Sequence, residues 1–551
     1  MKALIIVLLA IVIIAIILLS LVPPISKDAL VHHLAVPKLY LKHGGMYEIP
    51  FMKFSYYPMN LDLLYMIPLY FGNDIAPKFI HFTFALFTAG LIFFYLRERT
   101  NTLYALLGAA LFLSIPIIVK LSITVYIDLG EIFFSFSALI LLLKWIKSGF
   151  RIIYLLYSGL LCGLALGTKY NGLITLALLA FFIPYIYSRY QIDKRNKFFK
   201  SIGYGLCFFF IALLFFSPWM IRNYYWKNNP IYPLYNQAFN PSKAPAESIS
   251  SSNQPKQNRG FFTFRSMIYH ESGWQIALLP LRIFFQGKDG DPQYFDGKLN
   301  PFLLFLPFLA FYQLKRDPEY LEREKKILLS FALLFLFIAL FSAVLRIRYI
   351  APIIPPLVIL SVFGVKRLLE MIKQSPISLV KRTGLVLIGI MLFLTFWSNT
   401  TYLIEQFKFV RPLSYLNKSI SRDEYISLYR PEYPAMQYIN HHLGPDAVVY
   451  FIFLGNRGYY CDRDYLFGIE LFNSLVKSAD NSHEILEGFQ KTGITHLLIY
   501  NHLFEKWMKN NFSDEELSLT QTFFRKHLEL LYFEKGFGVW ALKDMPDSHS
   551  E

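Results

Sequence analysis

The chain has 551 residues, 55% of them hydrophobic and 18% aromatic, and a mean hydropathy of +0.40, above the roughly 45–50% apolar content of soluble domains. Its 54 basic against 38 acidic side chains give a net charge of +16; in a chain this apolar that excess belongs to loops that orient membrane spans, so no nucleic-acid partner is expected. The three cysteines, Cys162, Cys207 and Cys461, show neither metal-ligand spacing nor a disulfide framework.

A spanning helix needs about 20 mostly apolar residues, and by that measure about eleven spans are expected. Their limits are 4–22, 78–96, 103–119, 126–144, 152–168, 171–188, 201–218, 299–314, 327–345, 349–365 and 384–403. The first is too long for a signal-peptide core and lacks a small-x-small cleavage site, so it reads as a retained helix. Only Lys169-Tyr170 separates the fifth from the sixth, which are taken as two helices joined by a tight turn.

The stretch after the first span, from Pro23-Pro24 to Gly44-Gly45, carries Asp28, His32, His33, Lys38, Lys42 and His43. From Asp28 to Leu41 it reads as a short amphipathic helix, bounded by the Pro and Gly pairs. Asp28 and His32, four apart, can share a face. The plainer alternative is a solvated connector with Asp28 as an N-cap.

With the N-terminus in the cytoplasm, all five inner loops are basic, which is the positive-inside pattern. They hold Arg97 and Arg99; Lys144, Lys147 and Arg151; Arg189 through Lys200, including Lys194 and Arg195; Lys315, Arg316, Arg323, Lys325 and Lys326; and Lys366 through Arg382. The opposite side receives 23–77, about 219–298, and everything beyond 403. Segment 241–259 is almost free of apolar residues and is expected to be mobile. Residues 274–286, interrupted by Arg282, suit an interfacial helix.

The expected organisation is therefore a mainly α, polytopic membrane domain over 1–403 and a small extracytoplasmic α/β domain over 404–551. In the latter, strand-like runs at 448–453, 496–500, 529–533 and 539–542 alternate with helix-like stretches at 432–443, 484–491 and 514–528.

Four charged groups sit at outer span ends, where loop sorting does not account for them. The first is Asp28 with His32 and His33. The second runs from Lys120 to Glu131. Its Asp128 and Glu131 are three apart on one side of a span, where lipid exposure would cost about 2.5–3.5 kcal/mol per acid, so they belong in a cavity or an ion pair. The third is Lys169 in its tight turn, where snorkelling to the interface is the alternative. The fourth joins Arg222, in Pro218-Trp219-Met-Ile-Arg222-Asn223, to Arg346-Ile-Arg348-Tyr349. Lys169, Arg222, Arg346 and Arg348 together suit a phosphate at the bilayer surface, with lipid headgroups as the alternative partner for any one of them. Carboxylates able to take a proton from an acceptor hydroxyl, beside cations able to hold the charge of a departing phosphate, suit attack on a lipid-linked phosphate ester.

Taken in order, these motifs resemble the GT-C superfamily of polytopic glycosyltransferases, in particular bacterial members of the dolichyl-phosphate-mannose protein mannosyltransferase and aminoarabinose-transferase type. The carriers are Asp28-Ala-Leu-x-x-His-Leu-x-x-Pro37-Lys-x-Tyr40-Leu-x-x-Gly-Gly, Tyr126-x-Asp128, Thr168-Lys169-Tyr170-x-Gly172, Pro218-Trp219-x-x-Arg222-Asn223 with Asn229-Pro230, and Arg348-Tyr349-x-x-Pro352-x-x-Pro355. They cover roughly residues 1–400. The resemblance implies transfer of a sugar from a polyprenyl-phosphate donor to a glycan, lipid or protein acceptor outside the cytoplasmic membrane, with inversion at the anomeric carbon.

It also implies Asp28 as base and Asp128 as the group positioning acceptor or sugar. Lys169, Arg222, Arg346 and Arg348 would grip the phosphate with Tyr349 as hydrogen-bond donor, and His32, His33 and Glu131 stand as secondary candidates. Protein mannosyltransferases carry Asp-Glu in the first loop, whereas Ala29 follows Asp28 here. That favours envelope glycosyltransferases over protein O-mannosylation and leaves a divalent metal an open question; no other cofactor is implied. The rival readings are an O-antigen polymerase or ligase and a transporter or flippase of lipid-linked sugars.

Overall fold

A computed structural model of the chain describes residues 2–191, 197–241, 261–313, 317–342 and 344–543. Most of the polar 241–259 segment, and the loop cations Lys194, Arg195, Lys315 and Arg316, lie outside the described residues.

Seven described helices are long and apolar enough to cross a membrane: Lys2–Ser20, Ala76–Arg99, Asp128–Lys147, Gly172–Tyr190, Lys197–Lys227, Ile347–Gln374 and Ser378–Val410. Thr102–Ser114 and Pro116–Ser122 meet at a 66° bend and make an eighth if taken as one span. The bend has a local cause. Pro116 disfavours helical geometry at the residue before it, and Ile115 is extended at φ −59°, ψ 131°.

The other three of the eleven expected spans fall short. Ile152–Thr168 has 17 residues. Phe302–Leu309 has only eight, about 12 Å of helix against a hydrocarbon core of about 30 Å. Glu319–Leu340 opens with about two charged turns, from Glu319 to Lys326.

The described chain divides into two compact units. The first comprises 1–22, 56–68 and 75–413; the second comprises 23–55, 69–74 and 414–551. The stretch bearing Asp28 thus clusters with the C-terminal region rather than with the spans.

In the first unit, neighbouring helices pack through small residues. Gly159, Gly163 and Gly167 are four apart and line one face of Ile152–Thr168. A Cβ at Gly163 would lie 2.5 Å from the Ala212 carbonyl oxygen, and one at Gly159 would lie 3.0 Å from that of Phe208. The helix Lys197–Lys227 therefore approaches backbone to backbone, as small-residue stripes allow in membranes. At one end of this unit Arg99 is ion-paired with Glu324 and Lys147 with Glu98, which joins the C-terminal ends of Ala76–Arg99 and Asp128–Lys147 to the start of Glu319–Leu340. Only 11% of the apolar window of Ser378–Val410 is buried, and Leu387, Ile390, Phe393 and Trp397 are left for lipid to cover.

The second unit is built on a five-stranded mixed sheet: β1 (Val448–Ile452), β2 (Asp464–Phe467), β3 (His496–Tyr500), β4 (Leu528–Glu534) and β5 (Phe537–Leu542), in the order β2-β1-β3-β5-β4. β1 pairs parallel with β2 and β3, while β5 pairs antiparallel with β3 and β4. The β4–β5 hairpin turns through Lys535 and Gly536, both at positive φ (49° and 83°), the requirement of a tight primed turn. Ile452, Phe472, Phe489, Leu497, Ile499 and Phe523 make its core. All four expected strands are present; β2 is a fifth, and helices Glu470–Ser478 and Asn501–Asn511 are also additional.

Candidate active site

The helix Asp128–Lys147 begins with two carboxylates, Asp128 and Glu131, in its first turn, where the helix dipole favours negative charge. Three residues apart, they share a side. Asp128 is 1% exposed and Glu131 fully buried. The first-turn N–H of Leu129 is donated to His81 Nε2 at 2.9 Å, and His81 Nδ1 lies 3.0 Å from the carbonyl oxygens of Leu121 and Thr124. Carbonyls only accept, so the ring proton sits on Nδ1 and Nε2 is free to receive Leu129. The sequence reading did not single out His81; its one signal was an imidazole inside an otherwise apolar span.

Lys169 caps the C-terminal end of Ile152–Thr168 in extended geometry. Because that helix runs antiparallel to its neighbour, its end meets the start of Asp128–Lys147. The ammonium lies 2.5 Å from Asp128 Oδ1, with side-chain exposures of 13% and 1%. It also sits 4.9 Å from the centre of the Tyr349 ring. The 3-10 segment Ile347–Ile353 carries Arg348 and Tyr349 to the same place. The Arg348 guanidinium lies 4.9 Å from the Tyr126 ring and 5.4 Å from that of Tyr349, within electrostatic range of Asp128. The Asn171 amide donates to the Tyr349 carbonyl at 3.1 Å. Glu131 lies within range of Lys169 and Asp128, yet both its carboxylate oxygens are buried with no hydrogen-bond partner among the described residues.

The four expected phosphate cations have different partners. Lys169 and Arg348 share the Asp128 neighbourhood. Arg346 is ion-paired with Asp296 at 3.5 Å, as is Lys120 at 2.9 Å; Lys120 also reaches Asp289 at 3.1 Å. Burial pushes the Asp296 carboxyl up, but Lys120, the Gly290 N–H and Arg346 outweigh it and hold the group below the usual carboxylate range. Arg222 donates through Nη2 to the carbonyls of Tyr56 (2.6 Å) and Tyr57 (3.1 Å), and through Nε to the Asn223 side chain (3.1 Å). Its guanidinium also lies 4.6 Å from the Trp219 ring. These contacts make it a clamp on residues 56–57. The ring of Tyr57 then packs on Tyr170, beside Lys169, at 5.4 Å.

In the second unit, Asp28 precedes a π-helical turn, Ala29–His33, followed by the helix Ala35–His43. Asp28 stands at the N-cap position, half-buried, and makes no side-chain capping hydrogen bond. The π turn inserts one residue relative to an α-helix. His32 packs on His33 (3.9 Å between ring centres) and stacks on Phe54 (4.6 Å). Gly44, left-handed at φ 80°, ends the helix as the Gly pair implied. The expected interfacial stretch at 274–286 is two short helices, Gly273–Ala277 and Leu279–Phe285. Its Arg282 is paired with Glu271 at 3.0 Å. Among the described residues, no group of three or more His, Cys, Asp or Glu side chains is arranged to hold a metal ion.

A buried carboxylate holding an ammonium beside a guanidinium and a phenol ring is chemistry suited to an anion with several oxygens. Residues 68–222, which include Asp128, Lys169 and Arg222 but not Asp28, match the family model described as dolichyl-phosphate-mannose-protein mannosyltransferase. No curated protein sequence matches the chain.

In fold it is similar to ArnT from Cupriavidus metallidurans bound to undecaprenyl phosphate, at a TM-score of 0.55 and 14% identity over 98% of both chains. The apo form of that protein matches at 0.57 and 12% over 97% of both. The archaeal oligosaccharyltransferase AglB from Archaeoglobus fulgidus, in complex with an inhibitory peptide and a dolichol-phosphate, matches at 0.52 and 12%, over 98% of this chain and 75% of that one. The chain is thus a multi-pass membrane protein with the fold of the GT-C superfamily of glycosyltransferases.

Proposed function

We propose that the protein is a membrane glycosyltransferase that moves a sugar from a polyprenyl-phosphate-linked donor to a glycan, lipid or protein acceptor on the outer side of the cytoplasmic membrane. The observation that carries this reading is the buried Asp128–Lys169 pair beside Arg348 and Tyr349, at the end of membrane-length helices in a chain with the ArnT fold.

The roles follow from the chemistry. Asp28 takes the proton from the acceptor hydroxyl as its oxygen bonds to the anomeric carbon, on the face opposite the departing phosphate, so the configuration inverts. Lys169 and Arg348 hold the negative charge that grows on the phosphate as the glycosidic C–O bond breaks, and the Tyr349 hydroxyl donates to it. Asp128 fixes the Lys169 ammonium in place. Arg346 stands near enough in sequence to add a second guanidinium; Arg222 orders residues 56–57. His32, His33 and Glu131 are held in reserve as polar groups for the acceptor. The assignment of Asp28 rests on the first-loop motif.

The test is Asp28→Asn in the purified protein, with donor binding and turnover measured separately. Turnover should fall roughly 100- to 10,000-fold, the ordinary worth of general-base catalysis, with donor Kd unchanged. Unchanged turnover would remove Asp28 as base. Mass spectrometry of envelope glycans from a deletion strain identifies sugar and acceptor together; an intact glycan profile with lipid-linked sugar confined to one leaflet would instead favour a flippase.

A further inference from the structure

The second unit contains a cavity of about 480 Å³ that the reaction just described does not use, within the range of about 300–1,000 Å³ common to small-molecule sites. Its lining comes from three distant stretches of chain: Lys38 and Lys42; Tyr70 and Asp74; and Arg422, Gln437, Asn440, Tyr459, Tyr460 and Asp462. All of them belong to the same compact unit.

Three features define what it can bind. First, each of its cations is already paired with an acid. Lys38 is ion-paired with Asp462 at 2.7 Å, Lys42 with Asp464 at 2.6 Å and Arg422 with Asp74 at 2.5 Å. An anionic ligand would have to compete with these carboxylates for the same cations. Second, polar capacity remains. The Gln437 amide has no hydrogen-bond partner among the described residues, and the paired carboxylates keep further acceptor positions. Third, Tyr70 is 74% exposed at the rim, offering an aromatic face. A neutral ligand with many hydroxyls and an apolar C–H face satisfies all three, because its hydroxyls both donate and accept while its ring face packs on the phenol.

The cavity wall is also tied to the segment carrying Asp28. Tyr459 N–H donates to the Leu30 carbonyl at 3.2 Å and Tyr460 Oη to the Pro24 carbonyl at 2.7 Å. Lys38 Nζ donates to the carbonyls of Tyr459 and Cys461 at 2.8 and 2.9 Å. A ligand in the cavity would thus rest on the same scaffold that fixes Asp28.

We propose that this cavity is a saccharide subsite that holds an uncharged pyranose of the acceptor glycan. The identification of its ligand as acceptor rests on the transferase reading above. The existence of a neutral-sugar site does not.

The test uses the full chain in lipid nanodiscs and saturation-transfer NMR with methyl α-D-mannopyranoside, methyl α-D-glucopyranoside and maltose, with glucose 6-phosphate and glucuronate as charged counterparts. At least one neutral probe should bind, more tightly than either charged one. Tyr70→Ala and Gln437→Ala should each weaken it about 2- to 13-fold, the worth of one stacking contact or one hydrogen-bonding amide. Tyr70 is exposed, so its truncation leaves the fold intact. Absence of binding by every neutral probe, preference for a charged probe, or undiminished wild-type binding by both variants overturns the proposal. Neutral-sugar binding without turnover on any lipid-linked donor would leave the site standing and sink the transferase reading; turnover without such binding would do the reverse.

Discussion

Replacing Gly163 by alanine tests whether the two helices around Lys169 are held as closely as described. A Cβ at this position lies 2.5 Å from the Ala212 carbonyl oxygen and 2.7 Å from Phe215 Cβ. Real Cβ contacts essentially never fall below 3.0 Å, so the backbones must part by at least 0.5 Å (3.0 − 2.5). The obstacle is main chain, which cannot rotate away. Overpacking of this kind costs about 1–3 kcal/mol, a factor of about 5 to 150 in the unfolding equilibrium. Gly159→Ala, facing the Phe208 carbonyl at 3.0 Å and Ile211 Cγ2 at 2.9 Å, should cost less. Gly203→Ala and Gly90→Ala, with nothing within 4 Å, should be neutral and serve as controls.

The disturbance should also reach the candidate site. Asn60 bridges the two helices there, accepting from Trp219 Nε1 at 2.9 Å and donating to the Leu164 carbonyl at 3.3 Å. Thermal unfolding of the full chain in nanodiscs reads the effect. A Gly163→Ala melt indistinguishable from the Gly203→Ala melt would refute the close approach.

Two further outcomes are expected. Lys169→Met should destabilise by about 3–5 kcal/mol, because it leaves the Asp128 carboxylate buried without its ion-pair partner, whereas Lys169→Met combined with Asp128→Asn should recover much of that loss; strictly additive effects would show that the two groups are uncoupled. In the second unit, burial holds His527 below the usual imidazole range, with His483, Lys526 and Lys543 adding to it, and burial likewise lowers His496. A depressed imidazole binds its proton more weakly when folded than when unfolded. Stability should therefore be intact above pH about 6.5 and decline as pH falls toward and through the folded values; His527→Gln with His496→Gln should flatten that decline in melts between pH 7.5 and 5.

What could be read in advance follows from how local each signal is. The run 448–453 is β-branched or aromatic along its whole length and 496–500 is apolar after His496, and both give strands. Asp464–Phe467 has four residues between a basic residue and Gly468, too few to show alternation, so β2 emerged only through its pairing with β1. The span at 201–218 lengthened to Lys197–Lys227 because its flanks, Lys-Phe-Phe-Lys and Trp-Met-Ile-Arg-Asn-Tyr-Tyr-Trp, suit a membrane boundary rather than a helix stop. The run at 299–314 shrank to a helix of eight residues that starts after Pro301 and carries Pro307 within it.

Asp128, Lys169 and Arg348 were each legible as charges at span ends. That Lys169 grips Asp128 while Arg346 and Arg222 turn to Asp296 and to Tyr56 could not be read, because each link joins residues far apart in the chain. The acids that draw Arg346 and Lys120 away, Asp289 and Asp296, lie in a polar stretch that carries no periodic signal.

Lys38 reaches Asp462 across 424 positions of chain, and that separation has a consequence during synthesis. The segment from 23 to 55 leaves the ribosome early but waits for its packing partners until nearly the whole polypeptide has followed it, one helix after another entering the lipid in between. Contacts of such long range form late and slowly. A chain interrupted anywhere in the bundle would leave that early segment without its sheet, so the sheet works as a completeness check on the molecule. An excised C-terminal fragment would lack the same piece from the other direction.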